Sequence, residues 1–195
     1  GLLSGSEINR YSLAYEGGYI LYDTAKLKSG FKDANYFTPK IIMRQTGDSV
    51  IATYDQGNLL CLNNLHVGNL VNKDYDIRYV LAVLNSKLIN HYYHLISLEL
   101  GRTMAQTDIE TIEHLPIPGI DLSNPEEKKL HDDMVALVDR MLELKKRQEA
   151  QAKGSADWQD LEKDIKQTDA RIDSLVYDLY GLTEVERRVV EDEII

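Results

Sequence analysis

The sequence predicts an α+β protein, with a small, mainly antiparallel β head that includes a long helix, followed by an antiparallel, coiled-coil-like helical hairpin. Three observations support this prediction. Short β-type runs separated by turn residues fill the first part of the chain, the apolar period changes to three or four residues near Asp76, and two heptad seams fill the last third. We therefore divide the chain into residues 1–124 and 125–195.

Short runs of apolar, β-branched and aromatic residues predict the strands of the head. Turn-forming residues separate them, for example Lys-Ser-Gly at 28–30 and Thr-Gly-Asp at 46–48. Such short runs, bounded by turn signals and without long crossovers, favour antiparallel pairing. The predicted strands are residues 19–22, 40–44, 50–54, 59–62 and 65–71.

From Asp76 onward the apolar residues recur every three or four positions, which predicts one amphipathic helix of roughly 20 residues. Asp74 or Asp76 can cap its amino end. The helix ends in a polar loop that begins near residue 97. The residues of the apolar face are Ile77, Val80, Leu81, Leu84, Leu88, Tyr92 and Leu95.

A second, short helix is predicted to begin at Thr107. Thr107 and Glu110 have the spacing of a capping box, in which each side chain bonds the backbone at the other position. The helix must end before the Leu-Pro-Ile-Pro sequence at 115–118, because proline donates no amide hydrogen and biases the residue before it toward extended geometry.

The last third reads as two long helices. The segment 153–155 (Lys-Gly-Ser) is the predicted break between them, Gly181 suits a left-handed C-terminal cap, and Thr183 with Glu186 begins a final short helix. Helices joined this way form an antiparallel hairpin, which we expect to extend from the head as a stalk. The seam residues are Leu130, Met134, Leu137, Met141 and Leu144 in the first helix and Trp158, Leu161, Ile165, Thr168, Ile172, Leu175 and Leu179 in the second.

Composition and charge exclude several protein classes. No run of about 18 apolar residues is present, so a membrane partner is not expected, and a single cysteine, Cys61, excludes an internal disulfide framework. We predict a cytoplasmic protein. The net charge of −10 argues against diffuse nucleic-acid binding, but the charge is uneven: residues 1–124 carry 10 Lys or Arg and 13 Asp or Glu, whereas residues 125–195 carry 12 and 19.

Catalytic and metal-binding motifs are not recognisable in the sequence. It has no glycine-rich phosphate loop and no nucleophile elbow. His91 and His94 have a spacing that a metal can use, but no carboxylate or cysteine accompanies them, so packing or solvation is the favoured interpretation. We assign no catalytic residue, no metal and no cofactor to this chain, and its status as an enzyme stays open.

Two clusters have residue types that suit phosphate and base contacts. The segment 26–44 interleaves cations with Phe31, Tyr36 and Phe37, and a second cluster follows the long helix at 101–106. Taken alone, each cluster is better explained as a solvated loop, and the contacts with DNA named here depend also on the resemblance given in the next paragraph. Lysines fit phosphates, while arginine and glutamine pair bidentately with guanine and adenine edges. The candidate phosphate contacts are Lys26, Lys28, Lys32 and Lys40, and the candidate base contacts are Arg44, Gln45, Arg102 and Gln106.

Several stretches, in order along nearly the whole chain, resemble the C-terminal specificity domain of TaqI-like DNA methyltransferases. A similar domain occurs in type IIG restriction-modification enzymes and resembles the recognition domains of type I specificity subunits. The stretches are Leu-Ser-Gly-Ser-Glu-Ile-Asn-Arg-Tyr at 3–11, Pro-Lys-Ile-Ile-Met-Arg-Gln at 39–45, Ile-Ala-Thr-Tyr-Asp at 51–55, Asn-Asn at 63–64, Tyr-Val-Leu-Ala-Val-Leu-Asn-Ser-Lys at 79–87, Leu-Pro-Ile-Pro at 115–118 and Tyr-Asp-Leu-Tyr-Gly-Leu-Thr at 177–183.

The resemblance implies that residues 1–124 are a target recognition domain reading a short duplex sequence. In such enzymes a separate N-terminal domain binds S-adenosylmethionine and methylates a flipped adenine. The Asn-Pro-Pro-Tyr motif of that domain is absent here, so the chain resembles a fragment of a site-specific adenine methyltransferase, which in some relatives is also an endonuclease. The Leu-Asn-Ser sequence at 84–86 is expected to be architectural.

Three alternatives remain open. The first is a fragment of a type I specificity subunit, although those subunits usually carry two tandem copies. A protein–protein adaptor acting through the acidic hairpin is a different class. The heptad seams also leave two arrangements: they bury each other within one chain, or they form a homodimer.

Overall fold

The computed structural model describes residues 1–23, 25–26 and 34–192, and it confirms the α+β class. Two short 3-10 turns, Gly5–Glu7 and Ala34–Phe37, complete the regular structure of the described residues. The strands are β1 (Leu2–Leu3), β2 (Ile8–Asn9), β3 (Ser12–Leu13), β4 (Lys40–Arg44), β5 (Ala52–Asp55), β6 (Leu60–Cys61) and β7 (Leu65–Gly68). The helices are α1 (Ile77–Asn85), α2 (Lys87–Ile96), α3 (Ile109–Glu113), α4 (Pro125–Glu149), α5 (Ala156–Leu179) and α6 (Glu184–Asp192).

A three-stranded antiparallel sheet in the order β5-β4-β7 forms the centre of the head. Because successive side chains of a strand point to opposite faces of the sheet, β4 contributes side chains to two hydrophobic cores. Ile41 and Met43 pack with the helices, while Ile42 packs with Leu3, Ile8 and neighbouring residues of the smaller strands. Those strands pair as an antiparallel β2–β3 hairpin and a parallel β1–β6 pair.

Four of the five predicted strand runs contain strands, but the prediction for residues 19–22 is wrong. This run has no strand structure, and the side chains of Tyr19 and Leu21 are exposed. Apolar character alone does not make a strand, because the backbone also needs a pairing partner. Here β1 already pairs with β6, and the Leu2 amide donates to the Gly18 carbonyl just before the run, at 2.9 Å.

The predicted long helix is two helices that meet at Ser86, so its continuity was wrongly predicted. Asp76 caps α1 by accepting from the Arg78 amide at 2.8 Å. The Ser86 hydroxyl donates to the Val83 carbonyl at 2.7 Å and accepts from the Ile89 amide at 3.3 Å. One serine therefore closes α1 and caps α2, and the apolar period continues across the break.

The short helix α3 also begins differently from the prediction. Its N-cap is Asp108, which accepts from the Glu110 amide at 2.8 Å. Thr107 is used elsewhere: its amide donates to the Gln45 carbonyl at 2.7 Å. The predicted start of the helix is therefore one residue too early, because the adjacent aspartate is an equally good cap.

The hairpin forms as predicted. Ser155 caps α5, Gly154 has φ +85°, and Gly181 has φ +67° at the end of α5, the left-handed geometry that favours glycine. Thr183 and Glu186 form the predicted capping box: the Thr183 amide donates to the Glu186 carboxylate at 2.7 Å.

The hairpin packs along the head instead of projecting from it as the predicted stalk. Met134 and Val138 of α4 are fully buried in the same apolar core as Leu81 of α1. The seam residues of α4 and α5 thus bury one another and α1 within a single chain. The hydrophobic core is continuous across residue 124.

Lys40 is not the surface cation that the sequence suggested. Its side chain has no exposed surface, and its ammonium group forms an ion pair with Asp55 and donates to the Tyr36 carbonyl at 2.8 Å. The Asp55 carboxylate also accepts from the amides of Asn58 and Leu59 at 3.3 and 3.2 Å. The pair ties β4 to β5 and to the following turn, so Lys40 is corrected from a phosphate contact to a structural residue.

We expect Lys40→Ala to lower the free energy of unfolding by about 3–5 kcal/mol, because it leaves the buried Asp55 carboxylate without its cation. Chemical denaturation followed by circular dichroism measures this. Lys26→Ala is the control: that side chain is exposed and pairs with Asp23 at 3.3 Å. It should change stability by less than about 0.5 kcal/mol. Equal losses for the two variants would contradict the structural role of Lys40.

Asp173 of α5 lies buried at the amino end of α2. Its carboxylate accepts from the Lys87 amide at 2.9 Å, which gives α2 a cap from another helix. Burial raises the pKa of Asp173 to about 6, aided by neighbouring Asp169, while the Lys87 hydrogen bond and Arg10 partly oppose the rise. The charged form is therefore disfavoured in the folded protein.

This raised pKa predicts a pH-dependent stability. A carboxyl group with a folded-state pKa above its unfolded value contributes stability at low pH that is lost as pH rises through the folded pKa. Asp173→Asn keeps an acceptor for the Lys87 amide but cannot ionise. The variant should be about as stable as the wild type below pH 4. Above pH 7 its free energy of unfolding should exceed that of the wild type by roughly 2–3 kcal/mol. Urea titrations at several pH values measure the difference; a pH-independent difference would contradict it.

Candidate nucleic-acid interface

Two loops distant in sequence pair at one end of the head. Thr46 and Gln106 form an isolated antiparallel bridge. The Gly47 amide donates to the Ala105 carbonyl at 3.0 Å, and the Thr107 amide donates to the Gln45 carbonyl at 2.7 Å. This pairing joins the end of β4 to the loop between α2 and α3.

The pairing brings together the predicted base contacts. Arg44, Arg102 and Gln106 line one open cleft of about 480 Å³. Gln45 does not line the cleft, although its backbone carbonyl takes part in the loop pairing. The other residues of the cleft wall are Thr46, Gly47, Asp48, Thr103, Met104 and Ala105.

Glu99 fixes the geometry of one wall of this cleft. Its carboxylate pairs with the Arg102 guanidinium and accepts from the Gln106 amide at 3.0 Å. The Arg102 side chain nevertheless remains 62% exposed, so most of the guanidinium surface faces solvent. An arginine side chain that is already held at one nitrogen loses less conformational entropy on binding a ligand than an arginine side chain without such a partner.

The opposite wall contributes Arg44 and Asp48. Arg44 is half-buried, and its Nε has no hydrogen-bond partner among the described residues. The Asp48 carboxylate accepts from the Ser49 hydroxyl at 3.1 Å. The cleft therefore combines two guanidinium groups with an amide and a carboxylate, which is a mixed set of donors and acceptors.

This set of side chains suits the edges of base pairs. Arginine donates two hydrogen bonds to guanine, glutamine both donates to and accepts from adenine, and aspartate accepts from cytosine N4. The Asp48 carboxylate would repel a phosphate group, but it can accept a hydrogen bond from a base edge. The mixed charge favours reading of bases over general attraction to the backbone.

The predicted phosphate contacts are not gathered at the cleft. Lys26 is exposed and pairs with Asp23, whereas Lys28 and Lys32 lie outside the described residues. Lys40 is buried, as described above. Lys26, Lys28 and Lys32 therefore stay predictions as phosphate contacts.

The Leu-Asn-Ser sequence has an architectural role. The Asn85 side chain accepts from the Ala52 amide at 3.0 Å and donates to the Ala52 carbonyl at 2.9 Å, and both groups are buried. Ser86 is buried at the junction of α1 and α2. Neither side chain can reach a ligand without giving up these hydrogen bonds.

Sequence reasoning missed Glu99, Asp48 and Met104 as parts of this site. Glu99 and Arg102 are three residues apart around Leu-Gly, a spacing that signals a turn with an ion pair across it. Asp48 carried no comparable signal, because its position depends on the Thr46–Gln106 bridge. Met104 carried no signal either, because single exposed apolar residues are ordinary and its place at the cleft depends on the same bridge.

Two searches of the described residues gave negative results. No helix in residues 1–23, 25–26 and 34–192 is both long and apolar enough to cross a bilayer. In the same part of the chain, no three His, Cys, Asp or Glu side chains are grouped so that they could hold a metal ion.

Comparison with known proteins gives one result. The model of the TaqI-like C-terminal specificity domain family matches residues 1–117. The match includes the sheet, α1, α2, α3 and both walls of the cleft, and it ends before the helical hairpin. No curated protein matches the chain significantly.

Proposed function

Because the chain belongs to the family of TaqI-like C-terminal specificity domains, we propose that it is the target recognition domain of a site-specific adenine DNA methyltransferase. Its role is to read a short sequence of duplex DNA for a restriction-modification system. The observation that supports this most directly is the cleft in which Arg44, Arg102 and Gln106 meet, within the matched residues.

The cleft supports sequence reading for two reasons. Its side chains match the hydrogen-bonding patterns of base edges, and Glu99 holds Arg102 in a defined orientation. We assign Arg44, Arg102 and Gln106 to base edges, with Gln45 beside them. We assign Lys26, Lys28 and Lys32 to phosphates, where they add affinity without sequence preference.

The chemistry belongs to another domain in this proposal. An N-terminal methyltransferase domain of the parent protein would bind S-adenosylmethionine and methylate the flipped adenine. The present chain would position that domain on its target site. A parent of the type IIG class would also cleave DNA.

Three alternatives have less support. A type I specificity-subunit fragment would have the same head, and the family match does not separate it from the methyltransferase. An adaptor acting through the acidic hairpin leaves the composition of the cleft unexplained. A homodimer through the heptad seams would need another surface, because those seams are buried within one chain.

Selection from a randomised duplex pool tests the proposal. We expect the chain to retain duplexes at low salt and to enrich one short motif as salt is raised, because base contacts survive screening better than phosphate contacts. Sequencing of the retained fraction gives the motif. Salt-sensitive binding without enrichment would contradict sequence reading, and no binding at low salt would favour the adaptor.

Arg102→Ala tests the cleft itself. Loss of a bidentate guanine contact should cost about 1–3 kcal/mol on the enriched duplex and should relax the preference at one position. Arg188→Ala is the control, since Arg188 is exposed on α6 and does not line the cleft. Fluorescence anisotropy with the enriched duplex and a scrambled duplex measures both. Equal losses on the two duplexes would reassign Arg102 to phosphate.

A further inference from the structure

The loop at 97–106 exposes large apolar side chains. Leu98 is 90% exposed, Met104 is 85% exposed and Leu100 is 58% exposed, although they lie within ten residues of one another. Single exposed apolar residues are ordinary, but of these three Met104 also lines the cleft between the paired loops.

This loop is held in shape by several hydrogen bonds. The Arg102 amide donates to the Glu99 carbonyl at 3.1 Å, and Gly101 has φ +73°, the positive φ that the third position of a type II turn requires. The Glu99 carboxylate forms an ion pair with Arg102 and accepts a hydrogen bond from the Gln106 backbone amide. The apolar side chains are therefore presented from a constrained backbone, which lowers the entropy lost when they bind.

Met104 connects the apolar group to the proposed reading site. It lines the same cleft as Arg44, Arg102 and Gln106. A molecule that fills this cleft would also meet the Met104 side chain. Among the groups displayed in the major groove of DNA, the 5-methyl of thymine is apolar and lies beside the polar edges that arginine and glutamine bind.

We propose that Met104 reads the 5-methyl group of thymine next to the bases read by Arg102 and Gln106. This inference rests on the proposed function and adds a base identity to it. The target would contain at least one thymine whose methyl group packs on this loop. Replacing that thymine with deoxyuridine, which lacks the 5-methyl group, should weaken binding about fourfold, because one buried methyl group contributes about that much affinity.

A protein surface is the competing occupant, since methionine and arginine are also enriched in protein interfaces. Met104 lines the cleft with Arg44, Arg102 and Gln106, within the residues that match a TaqI-like C-terminal specificity domain. The family match and these side chains together favour DNA as the occupant.

The experiment uses the duplex enriched from the randomised pool, with each thymine replaced in turn by deoxyuridine, which removes only the 5-methyl group. Binding is measured for the wild-type chain, the loop variant Met104→Ala and the control Val185→Ala. The control removes an exposed apolar group that lies outside the loop and does not line the cleft. Thermal denaturation checks that all three proteins are folded.

We expect the wild-type chain and the control to lose about fourfold affinity at one or two thymines, and the loop variant to be insensitive at those positions. Wild-type binding to the enriched duplex that is unaffected by every replacement overturns the proposal. Equal sensitivity of the loop variant and wild type also overturns it. Absence of any sequence-selective binding by the wild type overturns the proposed function itself, which separates the two failures.

Discussion

The hydrogen bonds between the Asn85 side chain and the backbone of Ala52 are the constraint on which the head depends. Strand β5 is at the edge of the central sheet, so its outward amide and carbonyl need partners other than a strand. Asn85 supplies both, and Asn90 adds a bond from the Val50 amide at 2.8 Å. An amide side chain can donate and accept at once, so asparagine docks a helix end against a sheet edge as no apolar residue can.

That docking fixes the position of everything that follows. Asn85 is the last residue of α1, Ser86 follows it as the cap of α2, and Asp173 adds a cap to the new helix from α5. Helix α2 ends at the loop that pairs with the end of β4, and this pairing creates the cleft. The hairpin supports the same arrangement from the other side, since α4 packs on α1. Removal of residues 125–195 would therefore expose the core of the head, so point variants are the sounder test of the site.

Local patterns predicted the elements whose stabilisation is local. The caps at Asp76, Gly181 and Thr183, the heptad seams and most strands follow from spacing along the chain. The errors arose where a distant residue decides the outcome. The apolar period continues through Ser86, so the sequence did not show that the helix breaks there. Lys40 was predicted to be a surface cation, but it is buried and paired with Asp55. Residues 19–22 were predicted to form a strand, but they have no partner strand. Amphipathic patterns specify which face is buried, but they do not specify which backbone edge remains free to pair.

The candidate site also depends on contacts between distant residues, which local sequence patterns do not show. The sequence identified Arg44, Arg102 and Gln106 by residue type alone, yet more than fifty residues separate the first from the other two, and only the bridge between Thr46 and Gln106 brings them to one cleft. Residue type also could not identify Glu99, whose carboxylate orients Arg102 while reducing the positive charge of the cleft. A cleft of low net charge attracts the DNA backbone weakly, so under the proposed function it would contribute to binding through the fit of its side chains to base edges. In this protein, specificity and affinity are therefore expected to reside on different residues, the first in the cleft and the second on the lysines of the head.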